Sequence, residues 1–321
     1  MSKYRGRLPQ LHDGLFLTDG GIETSLVFHE GVTLPFFASF DLLKDESGTA
    51  VLRRYFERYA ALARSAEIGL VLETATWRAN ADWGAKLGHG AASLAEVNRR
   101  SVALLLDVRR QYETSRSPIV ISGNLGPRGD GYSPSARMTA AEADAYHAPQ
   151  IEVFAGTEAD MVAAFTMNYT EEAVGIVQAA KTAGMPVAIS FTTETDGRLP
   201  SGTTLRDAIE ATDETSAGYP AYYMINCAHP THLREALAAA GNWRDRIRGL
   251  RANASRRSHK ELDESPDLDE GNPEELGQEY QELRGSLRNL SVVGGCCGTD
   301  HRHIAAIARA MGGVEFEAYI A

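Results

Sequence analysis

Apolar residues recur every three or four positions across residues 52–66, at Leu52, Tyr55, Phe56, Tyr59, Leu62 and Ala63. That spacing predicts an amphipathic helix. Gly69 closes it, and Leu70, Val71 and Leu72 follow as a short, wholly apolar run of the kind a buried strand shows. The same alternation repeats along the chain. Strands are expected at 15–17, 70–72, 119–122, 161–165, 187–191, 222–225, 248–252 and 291–295. Helical periodicity marks 94–112, 139–156, 171–183, 232–240, 273–290 and 303–311, and 22–28 also has a helical pattern. Thr139 with Glu142 reads as a capping box, Pro273 suits a first helical turn, and Thr299 reads as the cap of the last helix. Eight strands separated by helices describe a parallel sheet, and the expected fold is a single-domain (β/α)8 TIM barrel. A doubly wound open sheet remains the alternative, because periodicity does not report closure. No nucleotide-binding fingerprint supports it.

In such a barrel the chemistry sits at the C-terminal ends of the strands, here Thr18, Glu73, Gly123, Phe165, Phe191, Asn226, Ala252 and Gly295. Asp19, Gly20 and Thr24 follow the first strand as candidates for substrate binding, with a turn carboxylate as the plainer reading of Asp19. Glu73 and Trp77 follow the second, where an indole beside a carboxylate can hold a methylated cation. Packing of the tryptophan under its loop competes with that reading. The glycine-rich segment 123–131 contains Asn124 but neither the dinucleotide spacing nor a P-loop lysine, and Tyr132 just beyond it can add an aromatic wall. Thr166, Glu194 and Asn226 stand at the next three strand ends, Glu194 reading equally as a turn residue beside Asp196 and Gly197.

The chain has three cysteines. Cys227 follows the sixth strand, and Cys296 and Cys297 lie in the turn Gly294-Gly295-Cys296-Cys297-Gly298-Thr299-Asp300 after the eighth. Three thiolates with a fourth position vacant are the pattern of a catalytic rather than a structural zinc site. A redox or nucleophilic cysteine and inert packing are the alternatives. A disulfide is disfavoured: the number is odd, adjacent cysteines close a strained ring, and the N-terminus does not read as a signal peptide. His229 and His232 are ligands by residue type, but Pro230 and the pattern after it assign them to a helix start.

Composition narrows the picture. A length of 321 residues fits one barrel, and 43% hydrophobic with 23% charged residues is ordinary for a globular chain. No run approaches the ~20 apolar residues of a membrane span, so no membrane association and a cytoplasmic location are expected. A net charge of -11 argues against nucleic acid and suits a small cationic substrate. Residues 255–272 are dense in charge and are expected to form an exposed loop. Homo-oligomerisation is left open.

The Asp19-Gly20-Gly21 turn, the Asn226-Cys227 step and the Gly294-Gly295-Cys296-Cys297-Gly298-Thr299 turn together resemble the zinc-dependent homocysteine S-methyltransferase family. The resemblance extends from about Leu15 to about Met311. It implies a (β/α)8 barrel, a zinc held by Cys227, Cys296 and Cys297, and methyl transfer to a thiol, with homocysteine the expected acceptor and methionine the product. It also implies a substrate-binding role for Asp19 and a pocket lined by the glycine-rich turn after the third strand. The chain departs from the family pattern where many members carry Phe-Glu-Thr at the fourth strand end, the glutamate binding the substrate amino group. Here the sequence is Phe165-Thr166-Met167-Asn168, and Glu194 is the candidate to replace the missing carboxylate. A single barrel leaves no room for a folate-binding module, so a small sulfonium or ammonium methyl donor is expected, with Trp77 and Tyr132 as walls of its pocket. Another acceptor thiol and zinc-assisted hydrolysis are the competing activities, and a zinc-stabilised binding module would call for a fourth protein ligand.

Overall fold

Eight strands hydrogen-bond in parallel and in chain order: β1 (Phe16–Leu17), β2 (Gly69–Glu73), β3 (Ile119–Leu125), β4 (Met161–Met167), β5 (Val187–Thr192), β6 (Tyr222–Asn226), β7 (Ile247–Ala252) and β8 (Val292–Gly295). The sheet closes where Phe16 and Leu17 of β1 pair with Val292 and Val293 of β8, which removes the open-sheet alternative. The structure, a computed structural model, describes residues 2–314 apart from Asp13, Ser135, Ala136 and Pro266.

Helices cover the outside: α1 (Glu46–Ser65), α2 (Ala81–Lys86), α3 (Ala91–Tyr112), α4 (Ala140–Ala155), α5 (Thr170–Thr182), α6 (Leu205–Ser216), α7 (Pro230–Ala238), α8 (His259–Asp263), α9 (Pro273–Leu283) and α10 (His301–Gly312). The capping box at Thr139 and Glu142 is present. Three boundaries differ from the sequence expectation. The last helix is capped by Asp300, whose carboxylate accepts from Arg302 N, because Thr299 turns its hydroxyl to the Cys296 carbonyl. The helix expected over 273–290 stops at Leu283, where the chain enters a turn. Residues Thr24–His29 form a π-helical turn rather than an α-helix. Among the described residues no helix is long and apolar enough to cross a membrane.

Inward positions alternate along each strand as the pleat requires. Phe16, Val71, Val120, Met161, Tyr222 and Val292 fill the lower barrel, and Leu8 from the N-terminal segment packs under them. That segment is fixed by Asp160. Its Oδ1 accepts from Tyr4 N at 2.7 Å, while its Oδ2 takes Arg109 at 2.7 Å and Ile121 N at 2.9 Å. The N-terminal end of the barrel is therefore plugged, and the opening lies at the other end.

Residues 255–272 cross that open end. Arg256, Arg257, Lys260 and Glu261 are exposed as their charge predicts, but Ser255 is buried and His259, Leu262, Ser265, Leu268 and Asp269 face a cavity beneath them. The segment is a cover with a charged outer surface.

Asp160→Ala strands the Arg109 guanidinium and two backbone donors in the protein interior. It is expected to lower unfolding free energy by about 3–5 kcal/mol in a denaturant titration. Lys44→Ala removes an exposed pair with Asp41 and is expected to cost less than about 1 kcal/mol.

Candidate active site

The three cysteines meet at the open end of the barrel. Cys227 follows β6 in the left-handed region, with φ 55°, a conformation a non-glycine residue adopts only where its surroundings impose it. There its thiol turns toward the loop after β8, and the Sγ atoms of Cys227, Cys296 and Cys297 all lie within 4.8 Å of one another. Hydrogen bonds from the Cys296 and Cys297 thiols hold Cys227 well below the usual thiol range. The same hydrogen bonds to Cys227 push Cys296 up to about 12 and raise Cys297 as well. With protons alone, ionisation of Cys227 is thus favoured at the expense of Cys296 and Cys297. A soft divalent cation lets all three ionise together, so the donor set fits zinc.

The two cysteine loops are bound to each other and to the first turn. Asn253, just past β7, donates from Nδ2 to the Cys227 carbonyl at 3.1 Å and accepts from Cys297 N at 3.1 Å. Thr24 Oγ1 accepts from Gly298 N at 3.0 Å, and Thr299 Oγ1 accepts from Gly21 N at 3.1 Å. Thr24 therefore positions the cysteine turn. Gly298 has φ 78°, and a Cβ there would lie 2.6 Å from the Asp269 carbonyl. At Gly294 a Cβ would stand 1.8 Å from Thr18 Oγ1. These glycines let the β8 turn lie flat against β1.

Below the sulfurs lies a cavity of about 400 Å³. Of the candidate residues, Asp19, Gly20, Thr24, Glu73, Trp77, Asn124, Thr166 and Asn226 line it, together with Tyr132 and the three cysteines. Glu194 is not among the lining residues. Its carboxylate stands 3.6 Å from Nδ1 of His259, which does line the cavity. His229 caps α7 and meets Glu279 at 3.1 Å, and His232 meets the Arg256 carbonyl at 2.9 Å, so both serve the helix start. His29, Glu270 and Asp300 form a second cluster of ligand type, but Arg302 occupies it, at 2.8 Å from Glu270 and 2.7 Å from Asp300.

Asp19 is buried, and its carboxylate is already engaged. Arg251 reaches Oδ1 at 2.7 Å, and the Tyr55 hydroxyl donates to Oδ2 at 2.9 Å. Asp19 Oδ1 makes that ion pair without a hydrogen bond, and Glu73 has no ion pair among the described residues. Glu73 is 3% exposed, neither carboxylate oxygen has a hydrogen-bond partner, and burial pushes its pKa up to about 7 against the nearby charge of Arg251. Asn124 Oδ1 is likewise buried and unpartnered. Ser122 pairs with Glu73 across the ladder, and Asn124 lies two residues beyond it on the same face, so the orphaned acceptors of Glu73 and Asn124 are neighbours inside the barrel.

Thr166 departs from ordinary backbone geometry, with φ 63° for a β-branched residue. Asn226 holds it there: Oδ1 accepts from Thr166 N at 2.9 Å, and Nδ2 approaches Thr166 Oγ1 at 3.0 Å and Cys227 Sγ at 3.1 Å. The Tyr132 hydroxyl lies 4.0 Å from Cys297 Sγ, and its ring packs against His259 with centroids 4.1 Å apart and the planes tilted by 41°.

Several residues of the site escaped the sequence reading. Arg251 is the clearest, and it had a signal: it lies between Leu250 and Ala252, which pack outward against the helices, so alternation turns an arginine there inward. Glu23 falls within the helical pattern of 22–28 and Arg78 just past the loop that carries Trp77, and neither was singled out. His259 had no signal, because nothing in a charge-rich segment tells which side chain turns inward.

Comparison with known proteins adds the following. The family model for homocysteine S-methyltransferase matches residues 16–311. Among solved structures, the metallated form of the homocysteine methyltransferase MmuM from Escherichia coli is similar with TM-score 0.73 and 20% identity, over 95% of this chain and 99% of that one. The oxidized form gives TM-score 0.69 and 21% identity over 95% and 99% of the two chains. The apo form gives 0.63 and 19%, over 94% and 98%. At these identities the likeness concerns the fold. No curated protein matches the chain in sequence.

Arg251→Met is expected to destabilise the protein by about 3–5 kcal/mol, since it leaves Asp19 buried without its counter-charge. Adding Asp19→Asn should recover part of the loss. Burial already raises the Asp19 pKa from 3.8, and removing the guanidinium raises it further. A folded-state pKa above the unfolded one favours folding at low pH, so the stability of Arg251→Met should fall as pH rises from about 4 through the raised folded value. Thermal unfolding across pH checks the slope, and Arg251→Met/Asp19→Asn should lack it.

Proposed function

The chain belongs to the homocysteine S-methyltransferase family, and from that premise we propose that it transfers a methyl group from a small sulfonium or ammonium donor to homocysteine, giving methionine, at a zinc held by Cys227, Cys296 and Cys297. The observation that carries the reading is the convergence of three thiols from two strand ends at the mouth of one cavity. A free thiol with pKa near ~8.5 is only a few per cent ionised at neutral pH. Zinc in this donor set would supply acidification of the acceptor thiol while leaving its sulfur electron-rich.

The protein's own residues do the rest. Asn253 ties the Cys227 and Cys297 backbones together, and the Asn226 amide faces Cys227 Sγ, so the sulfurs are held before substrate arrives. Glu73, with Asn124 beside it, supplies the unpartnered acceptors that an α-ammonium requires, and the ammonium role expected of Asp19 passes to Glu73 because Arg251 already balances Asp19. The cover over 255–272 and Tyr132 shield the reacting sulfur from water. In the displacement, the acceptor sulfur forms the new S–CH3 bond as the methyl bond to the onium centre breaks. The bonding pair stays on the departing neutral sulfide or amine, and the thiol proton passes to solvent. Three thiolates donate too much charge for a strongly Lewis-acidic centre, which disfavours the hydrolytic alternative.

Zinc content and methionine formation test the reading, with homocysteine assayed against betaine, S-methylmethionine and S-adenosylmethionine. Cys297→Ser should lower bound zinc well below one equivalent and abolish methylation; full zinc and activity would remove the proposal. Glu73→Gln should raise the KM for homocysteine ~10- to 100-fold, the loss of one charge-assisted hydrogen-bonded pair, with zinc content unchanged. If Asp19→Asn shows that KM effect and Glu73→Gln does not, the ammonium belongs to Asp19.

A further inference from the structure

Arg78 stands in the wall of the same cavity with no anion assigned to it. Its guanidinium carbon lies 3.7 Å from the ring centroid of Trp83 and 4.5 Å from that of Trp77. Its Nε is buried and has no hydrogen-bond partner. Among the described residues no carboxylate forms an ion pair with it; Glu23 and Asp130 act on it only through longer-range attraction. Arginine stays charged even where burial lowers its pKa, as it does here. Stacking on the indoles uses the faces of the guanidinium and fixes its plane, which leaves the N–H edge as the part free to donate.

This arrangement changes what the cavity accepts. The indole of Trp77 was the expected seat for an onium group, but Arg78 already covers it. A second cation placed there meets repulsion, not a free ring face. A carboxylate meets a partly desolvated fork of donors held in place by the indoles, a geometry suited to binding it through two hydrogen bonds. The attraction for an onium centre comes instead from Glu23 and Asp130, which line the cavity near Arg78, and from the sulfur cluster. Opposite charges on one wall match a ligand that carries both.

We propose that Arg78 binds the carboxylate of the methyl donor, so that the enzyme takes zwitterionic onium acids and rejects simple onium cations. The assignment rests on the methyl-transfer reading of the site and names the residue that selects the donor. The guanidinium anchors one end of the donor, and the onium end is left to reach toward the acceptor sulfur. Arg78 takes no part in bond making. Its role is positioning, through a contact with the substrate that only carboxylated donors make.

Paired ligands test it. Trimethylammonioacetate and dimethylsulfoniopropionate are compared with choline and trimethylsulfonium by calorimetric binding to the zinc-loaded protein, independently of turnover. The wild-type protein should favour the carboxylated members by ~10-fold or more, one charge-assisted contact's worth. Arg78→Gln and Arg78→Ala should bring them down to the affinity of the simple cations, with choline binding as well as before or better once the repelling charge is gone, and Arg78→Lys should restore part of the preference. Absence of discrimination in wild type, or its survival in Arg78→Gln, would overturn the proposal and leave Arg78 as packing between two indoles. A rise in homocysteine KM with donor binding intact would also overturn it, placing the acceptor's carboxylate at Arg78. Thermal unfolding identifies a variant that fails to fold; Arg78→Lys then decides by the size of its carboxylate preference. Failure of the methyl-transfer reading is seen separately: discrimination among donors without methionine from any of them defeats that reading and not this one. Methionine formed equally well from carboxylated and uncarboxylated donors does the reverse.

Discussion

The buried guanidinium of Arg251 is the interaction on which the site depends. From the inner face of β7 it reaches the Asp19 carboxylate at 2.7 Å, the Gly20 carbonyl at 3.1 Å and the Gly295 carbonyl at 3.0 Å. Those partners lie in the turn after β1 and at the end of β8, so one side chain joins both sides of the barrel seam. The β8 turn carries two of the three cysteines. An arginine is suited to this because its donors form a rigid fork able to satisfy several acceptors at once. Its burial is tolerable only because Asp19 balances the charge. Asp19, which lines the cavity where a substrate-binding carboxylate was expected, is thereby also the counter-ion of Arg251.

That exchange shows what was legible in the sequence and what was not. The barrel was legible because each strand and most helices announce themselves by local periodicity, and eight repeats of one unit leave few ways to pack. The cysteine cluster was legible because glycines around two adjacent thiols have little use in a core. Closure, by contrast, is a non-local pairing of Phe16 with Val292, and no window of sequence contains both. α6 has apolar positions at Leu205, Ala208 and Ile209, a pattern confined to its first turns and too short to mark a helix. Glu194 was misplaced for a related reason. A residue after a strand end is near the mouth, but whether it faces the cavity depends on the neighbour above it, and His259 comes from a segment 65 positions later in the chain.

The electrostatics of the cavity follow from which charges are paired. Asp19 and Arg251 cancel. Glu73 does not, and its pKa near 7 records the cost of keeping a carboxylate dry without a hydrogen bond. Glu23 is pushed to about 7 for the same reason, burial outweighing the attraction of Arg78. A protein that merely needed stability would replace such groups with apolar ones of similar size. Unpaired acceptors and an unpaired guanidinium in one cavity describe a surface completed by a ligand.

Thr166 joins these two levels. Where the family pattern calls for a glutamate, a threonine sits in a left-handed conformation that its branched side chain disfavours. Asn226 holds that conformation by bonding both its backbone and its hydroxyl, and the same amide faces Cys227 Sγ. A glutamate at this position would project a further carboxylate into a cavity already lined by Asp19, Glu23, Glu73 and Asp130. Charge therefore explains the exchange better than size does: the β4 end adds no further carboxylate and instead braces the Asn226-Cys227 step.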